Sequence, residues 1–396
     1  MKSIPNSGFA RMPVFAGAYQ LIENGARDKP VVLRAFNDFA LGKPGVDQIV
    51  FGLPQGGTPY WEPPAVLGPM LKTGVIQTQL GLPAVDTRDG VINPRAYDDL
   101  VAQGLASVQW VPRDGWEVLD FNLDNPHLSD LRVRQAIAYG IDRQAIIDLV
   151  LGGHGQLMRS YLPGWQPLYA GDSLLPDYSY DPVKGLALLG EAGYNLNKFP
   201  IEHPARGPLI LRLASMDVAS YPRQPAAALI QEQLARIGIK VDVTFYSWGD
   251  FEGNDCTAVR NGRKFDLGMA GNVLWPSLFP VDFLEQTYAS SAIPSPANAC
   301  GQGKYNWSGW SNAQADAILA QLKDGRLALE QPGKYRALWA EHQRLWSSEL
   351  PSLPLFNWER PVTYVTNLKG VVPSPFAFGA VEDTWNVFDW NNITGK

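Results

Sequence analysis

Only two cysteines and four histidines occur in the 396 residues, and their scarcity closes off several chemistries. His127, His154, His203 and His342 form no i,i+4 pair and none has a C-x-x-C partner, so no metal-ligand spacing is present. There is no G-x-S-x-G elbow, no Walker loop and no H-E-x-x-H, which removes familiar hydrolase, nucleotide and zinc-protease signatures. Gly152-Gly153-His154-Gly155 superficially resembles a phosphate loop, but it ends a helix instead of opening one after a strand. Long apolar runs are missing as well, and no window approaches the roughly eighteen residues that a bilayer span needs. Met1-Lys2 is not followed by the apolar stretch of a signal peptide. Charge of one sign is not concentrated: 33 basic residues against 39 acidic ones give −6, with no basic cluster. That excludes nucleic acid or an anionic membrane as the main partner.

What is present is length, aromatic mass and dispersed turn formers. A chain of this length buries a sizeable core and allows two or three domains. The 38 glycines and 32 prolines are scattered, as in a loop-rich globular protein, and 13 Trp with 15 Tyr supply aromatic surface. From Phe121 to Tyr194 the local signals agree. A short strand ends at Phe121-Asn122. Ser129 or Asp130 then caps a helix with Leu131, Val133, Ile137 and Ile141 at near-helical spacing. Asp142 caps a second helix with Ile146, Leu149 and Val150 inward, ended by Gly152-Gly153. Asp181-Pro182 opens a third, which Gly193 closes after Leu186, Leu188 and Leu189.

Further along, Leu209–Ala214 reads as a strand, Arg223–Arg236 as a helix closed by Gly238, and Lys240–Tyr246 as a second strand. A strand–helix–strand unit of this kind implies a parallel pair with a right-handed crossover. Phe265–Met269 reads as another strand, and Asn312–Lys323 and Pro332–Trp346 as amphipathic helices. Nearer the start, Val31–Phe36 and Asp47–Gly52 read as strands and Pro54–Pro69 as turn-rich.

The order of these parts resembles a known family. Phe121-Asn122, Arg132-Val133-Arg134-Gln135-Ala136, Ile141-Asp142-Arg143, Gly152-Gly153, Tyr180-Asp181-Pro182 and Leu189-Gly190-Glu191-Ala192-Gly193-Tyr194 are similar to the family 5 extracellular solute-binding proteins. These are the substrate receptors of oligopeptide, dipeptide, nickel and some oligosaccharide ABC importers. Pro13–Leu21 resembles the family's P-x-G-T-G-x-Y-x-L segment, with Ala16 where Thr is usual, and Asp47–Phe51 resembles the strand that follows. Trp310-Ser311-Asn312 with Asp316, Leu353–Phe356, Gly370-Val371 and Trp385-Asn386-Val387 extend the likeness to about Trp390.

The resemblance implies a two-lobed α/β fold of the periplasmic-binding-protein kind. Residues 1–118 would be the remaining part of lobe I, 119–357 lobe II, and 358–396 the hinge return to lobe I. In the family the segment like Pro13–Leu21 lies well inside the protein. Lobe I is therefore expected to lack its N-terminal part and to expose sheet edges and apolar surface unless something covers them; a shortened expressed piece, a proteolytic product, a mis-started gene and one half of a split protein, with the missing part as a separate chain, are the alternatives. The expected partners are a small-molecule ligand, peptide-like or oligosaccharide, and the ABC permease subunits. No cofactor is implied, and the place of action is periplasmic or extracellular, with a lipid anchor in a longer precursor as one route to the membrane.

For the site, the resemblance implies an aromatic at Trp248 lining the ligand pocket, Met269, Asn272 and Val273 facing the ligand, and Trp358 beside Glu359 and Arg360 at the lobe crossing. Trp275 stands where peptide-binding members carry the Asp that pairs with the peptide's α-amino group. An indole offers a buried ammonium only a cation–π contact, about 1–2 kcal/mol, in place of a desolvated ion pair. The usual free-peptide mode is then not expected, and stacking on a sugar ring or an apolar moiety suits the indole better. Asp282 is the nearby carboxylate that a local slip would bring to the cleft. Ordinary packing is the plain alternative for Trp248 and Trp275.

In a protein of the exported class, Cys256 and Cys300 suggest one disulfide, against two reduced buried thiols. Of Arg132, Arg134 and Arg143, the family reading makes at least one a buried structural arginine paired with a nearby Asp. Asn306-Trp307-Ser308 and Asn392-Ile393-Thr394 fit the glycosylation pattern, which is common by chance. The rival function is a carbohydrate-active enzyme with an aromatic cleft, which needs two carboxylates about 5–10 Å apart. Acidic pairs such as Glu382-Asp383 read instead as solvated loop charges, so no such pair is nominated.

Overall fold

The computed structural model describes residues 17–23, 30–51, 64–79, 94–217, 223–273, 280–298, 300–374 and 387–392. They fall into two compact units, one formed by Pro112–Glu359 and the other by the segments up to Val111 and from Arg360 onward. The strands are β1 (Tyr19–Glu23), β2 (Val31–Ala35), β3 (Gln48–Phe51), β4 (Thr78–Gln79), β5 (Ser107–Phe121), β6 (Gly155–Gln156), β7 (Glu202–His203), β8 (Gly207–Pro208), β9 (Ile210–Met216), β10 (Lys240–Tyr246), β11 (Leu267–Val273), β12 (Ser352–Tyr364), β13 (Leu368–Lys369) and β14 (Asn391–Asn392). Both unit boundaries fall inside a strand, β5 and β12.

In the unit that holds the chain's early residues, β1, β2 and β3 form an antiparallel sheet. β4 pairs with the last residues of β12, Gln79 opposite Thr363 and Thr78 opposite Tyr364. The stretch Pro54–Pro69 was expected to be turn-rich. Residues 54–63 lie outside the described residues, but Pro64–Lys72 is a helix. Leu67 and Leu71 share one of its faces and are buried with Tyr97 and Leu100, and Pro is tolerated in a first helical turn. Leu41, Val50 and Val75 stay exposed.

The Pro112–Glu359 unit is built on a mixed sheet in the order β10-β9-β11-β5-β12, with β6 on the far side of β12. β9 and β10 are parallel, from Lys240 opposite Ile210 to Tyr246 opposite Met216, as the strand–helix–strand pattern requires. The linking helix, Arg223–Arg236, buries Ala226, Ala227, Ile230 and Leu234. Its chain then reverses at Gly238, where φ is +83° and a side chain would meet Ile201 at 2.4 Å. Gly152-Gly153 ends its helix with φ of +61° and +88° and leads into β6, so it cradles nothing.

The three capped helices form as their sequence dictates: Leu131–Gly140, Arg143–Val150 and Pro182–Glu191. Asp130, Asp142 and Asp181 each accept a backbone N–H of the first turn. One inward assignment is corrected. Leu149 is 72% exposed, and Ile147 takes its place beside Ile146 and Val150, because positions 143, 146, 147 and 150 share the packed stripe.

The arginine expectation is also corrected. Arg132 binds Asp130 but is half-exposed, whereas the buried pair, Arg134 and Arg143, take carbonyl oxygens. Arg134 donates to Leu128, Glu349 and Leu350, and Arg143 to Met158, Tyr178 and Pro354. Burial pulls both guanidiniums down to about 10, still charged at neutral pH. Arg134 thus takes the closing carbonyls of the Pro332–Glu349 helix, and Arg143 ties loop carbonyls to β12 through its planar fork of donors. Asn306 is buried and donates to Ala289 and Trp310, so it is no surface acceptor of sugar.

Candidate functional site at the strand ends

The parallel strands β9, β10 and β11 end at one edge of the sheet, and open α/β sheets bind ligands beyond the carboxyl ends of their strands. β5 runs antiparallel to β11, so its early residues share that edge. Val273 lies opposite Gly115, Asn272 opposite Trp116 and Gly271 opposite Glu117.

Side chains alternate along a strand, which splits this edge into two faces. One face carries Gly115, Glu117, Gly271 and Val273, and deeper on it Leu119 and Met269 enter the core. Here Glu117 accepts from Arg223 at 2.6 Å through Nε and 3.2 Å through Nη2, both side chains almost wholly buried. The Trp358 indole on β12 lies across the two glycines, and the Arg113 guanidinium sits 5.6 Å from its ring centre. β12 is pinned at this point: Asn357 donates to the carbonyls of Arg113 and Gly115 at 2.7 Å each, and Trp358 pairs with Gly155 of β6.

The opposite face carries Trp116, Asp120 and Asn272. Arg260 reaches Asp120 at 3.2 Å, Glu252 at 2.6 Å and the Asn272 Oδ1 at 3.1 Å, and lies 3.4 Å from the centre of the Trp307 ring. Ser352 donates to Asp120 at 2.7 Å. Burial pushes the carboxyls of Glu117 and Asp120 up, against the pull of Arg223 and Arg260 respectively. For Arg260 burial opposes the charge, but Glu252 and Asp120 together outweigh it and raise the guanidinium further.

The expected site residues therefore separate. Trp358 and Val273 meet at the edge on one face. Met269 shares that face but is fully buried in the core, and Asn272 points to the other face and is held by Arg260. Trp248 stands beyond the end of β10 on the short helix Trp248–Glu252, 63% exposed. Trp275 lies outside the described residues. Asp282 is exposed in the first turn of the Val281–Tyr288 helix.

Glu117, Arg223, Asp120 and Arg260 were not singled out from the sequence. A signal was available: two acids three residues apart in the apolar run Trp116–Phe121 must face opposite sides, and each then requires its own buried cation. Cys256 and Cys300 are joined by a disulfide that ties the segment preceding Arg260 to the Gly301 loop. Among the described residues no cluster of His, Cys, Asp and Glu could hold a metal ion. Glu117 is committed through both oxygens to Arg223.

Residues 2–295 match the family described as bacterial extracellular solute-binding proteins, family 5 Middle. Heme-binding protein A of Haemophilus influenzae is 28% identical over 301 residues, which cover 74% of this chain and 49% of that protein. Di/tripeptide-binding protein 1 of Pseudomonas aeruginosa is 28% identical over 315 residues, 76% of this chain and 52% of that one. The chain thus spans about half the length of these curated relatives. The crystal structure of a nickel ABC transporter from Bacillus halodurans superposes with a TM-score of 0.72 at 18% identity, covering 94% of this chain and 69% of that chain. That likeness shows the two-lobed α/β binding-protein fold.

Proposed function

The chain belongs to the family 5 bacterial extracellular solute-binding proteins, and from that premise we propose that it captures a peptide-like ligand for an ABC importer. The family is one of binding proteins, not enzymes, and works outside the cytoplasm. Among the described residues no helix is long and apolar enough to cross a membrane. The observation that carries the reading is the family match across residues 2–295; at the strand ends Trp248 is exposed and Val273 partly so, whereas Trp358 and Arg113 are buried. One relative's name specifies di- and tripeptides and another's heme, so ligand chemistry varies within the family.

In this reading residues 119–357 are lobe II, and residues 1–118 and 358–396 belong to lobe I. Capture works by closure about the two chain passages, inside β5 and β12, because the ligand prefers the closed form. The ligand's amino end is not held by a carboxylate at position 275, since that residue is Trp.

A thermal-shift screen of defined di- and tripeptides, with maltotriose and nitrophenyl glycosides alongside, tests the proposal. A ligand at about one hundred times its Kd stabilises by about 2.7 kcal/mol. A peptide-dependent shift without turnover is the expected result. A shift with maltotriose alone moves the ligand to the oligosaccharide class, and glycoside turnover overturns the receptor reading.

A further inference from the structure

We propose that Trp358 sets the size of the ligand group accepted at this edge, because its own indole fills a side-chain compartment floored by Gly115 and Gly271. The inference rests on the binding-protein reading and adds to it a specificity-determining residue.

Both glycines lie inside strands, on the adjacent β5 and β11 and on the same face. Neither has a positive φ, so the backbone there suits any residue and the missing side chains serve space, not conformation. A methyl group on Gly115 would come within 3.1 Å of the Asn272 carbonyl oxygen, 3.2 Å of the Trp358 ring and 3.3 Å of the Val273 side chain. One on Gly271 would come within 2.9 Å of the ring and 3.1 Å of the Arg223 guanidinium. Deeper on this face the same strands carry Leu119, Phe121, Leu267 and Met269, all fully buried. On this face the emptied positions are the two beside the edge, and the Trp358 ring occupies the space they release.

The compartment has an apolar floor, Val273 on one side and the Glu117–Arg223 pair on another, with Arg113 by the ring. Such a lining suits an aromatic side chain, and the chain supplies one itself. A ligand must then present a small group here. Replacing Trp358 by a small residue would open the space to an aromatic ligand side chain. A plain core-capping tryptophan would, when truncated, cost stability and leave a cavity open to indole, but would not alter the choice between tripeptides.

The test uses the full chain with Trp358→Ala, with indole as the probe, and the tripeptides Ala-Ala-Ala and Ala-Trp-Ala. Indole should raise the melting temperature of Trp358→Ala saturably and leave the unaltered protein unmoved. The affinity ratio should shift toward Ala-Trp-Ala by about tenfold or more, since even one methylene in an apolar pocket discriminates at that level. A folded variant that keeps its tripeptide ratio overturns the proposal, whether or not it takes up indole. Should Trp358→Ala fail to fold, Gly271→Ala decides by the near-ultraviolet circular dichroism of the indole: a changed band supports displacement of the ring, an unchanged one overturns it. If the unaltered protein binds neither tripeptide, the peptide reading fails by itself, and the Gly271→Ala band still decides whether the ring fills the compartment.

Discussion

Glu117 and Asp120 sit on one strand, and pleating sends them to opposite sides of the sheet, where each meets a separate guanidinium. Removing one partner of such a pair leaves a buried charge uncompensated, at a typical cost of about 3–5 kcal/mol. Arg260→Met should therefore lower urea stability by roughly that amount, because it strands both Asp120 and Glu252; a loss below about 1 kcal/mol would contradict the buried network. His342 is a second residue whose environment decides its behaviour. It is fully buried, its Nδ1 is 2.7 Å from the Tyr161 hydroxyl, and burial pushes its imidazole down from 6.5 to about 4. A depressed histidine contributes stability that is fully present above the unfolded value and is lost as pH falls toward the folded one. Between pH 6.5 and about 4 the unfolded chain binds a proton that the folded one refuses, a loss of about 3 kcal/mol. His342→Asn should flatten the urea midpoint against pH in that window, and an unchanged slope would refute the assignment. Among the described residues of the expected site, only Trp358 and Val273 are brought together. The family likeness pointed to β11, but alternation within it separates Asn272 from Val273, and depth buries Met269.

Elements with short-range signals were legible. The aspartate caps, the Pro at a first helical position and the Gly terminators locate three helices to within a residue or so, because each depends on neighbours two to four positions away. β5 was not legible as one strand. Pro112-Arg113-Asp114-Gly115 has the composition of a turn, yet it continues a fifteen-residue strand. The bonds that keep it extended come from distant chain: Val273 of β11 pairs with Gly115, and the Asn357 amide holds two of its carbonyls. Leu149 shows the same limit at one position, since two stripes fit its helix and only the packed neighbour selects between them. The disulfide also belongs at this scale. It closes a separation of 44 residues, which on chain-entropy grounds stabilises by about 4 kcal/mol. A Cys256→Ala/Cys300→Ala variant should lose several °C of Tm and be insensitive to reductant; an equal Tm would show that the folded chain does not depend on the bond.

Across the whole molecule, both boundaries between compact units fall within long strands, so each unit's core must be judged on its own. The clusters around Leu119 and Ile230, around Trp339 and Trp346, and around Phe251 and Phe265 all lie within Pro112–Glu359. A unit with its own cores folds alone as a rule. The excised segment Pro112–Glu359 should therefore give native-like near-ultraviolet circular dichroism and one cooperative urea transition; a gradual, featureless melt would show that it needs the rest of the chain. The order of caps, apolar stripes and glycine stops was enough to determine the helices, the parallel strand–helix–strand unit and, through their succession, the family. These features are local, and local sterics and hydrogen bonding are written in adjacent residues. Which acid meets which guanidinium, which side of a strand faces the edge, and that an indole lies across two glycines were decided by tertiary structure alone. Those pairings join residues far apart in the sequence, and chain-local chemistry carries no record of them.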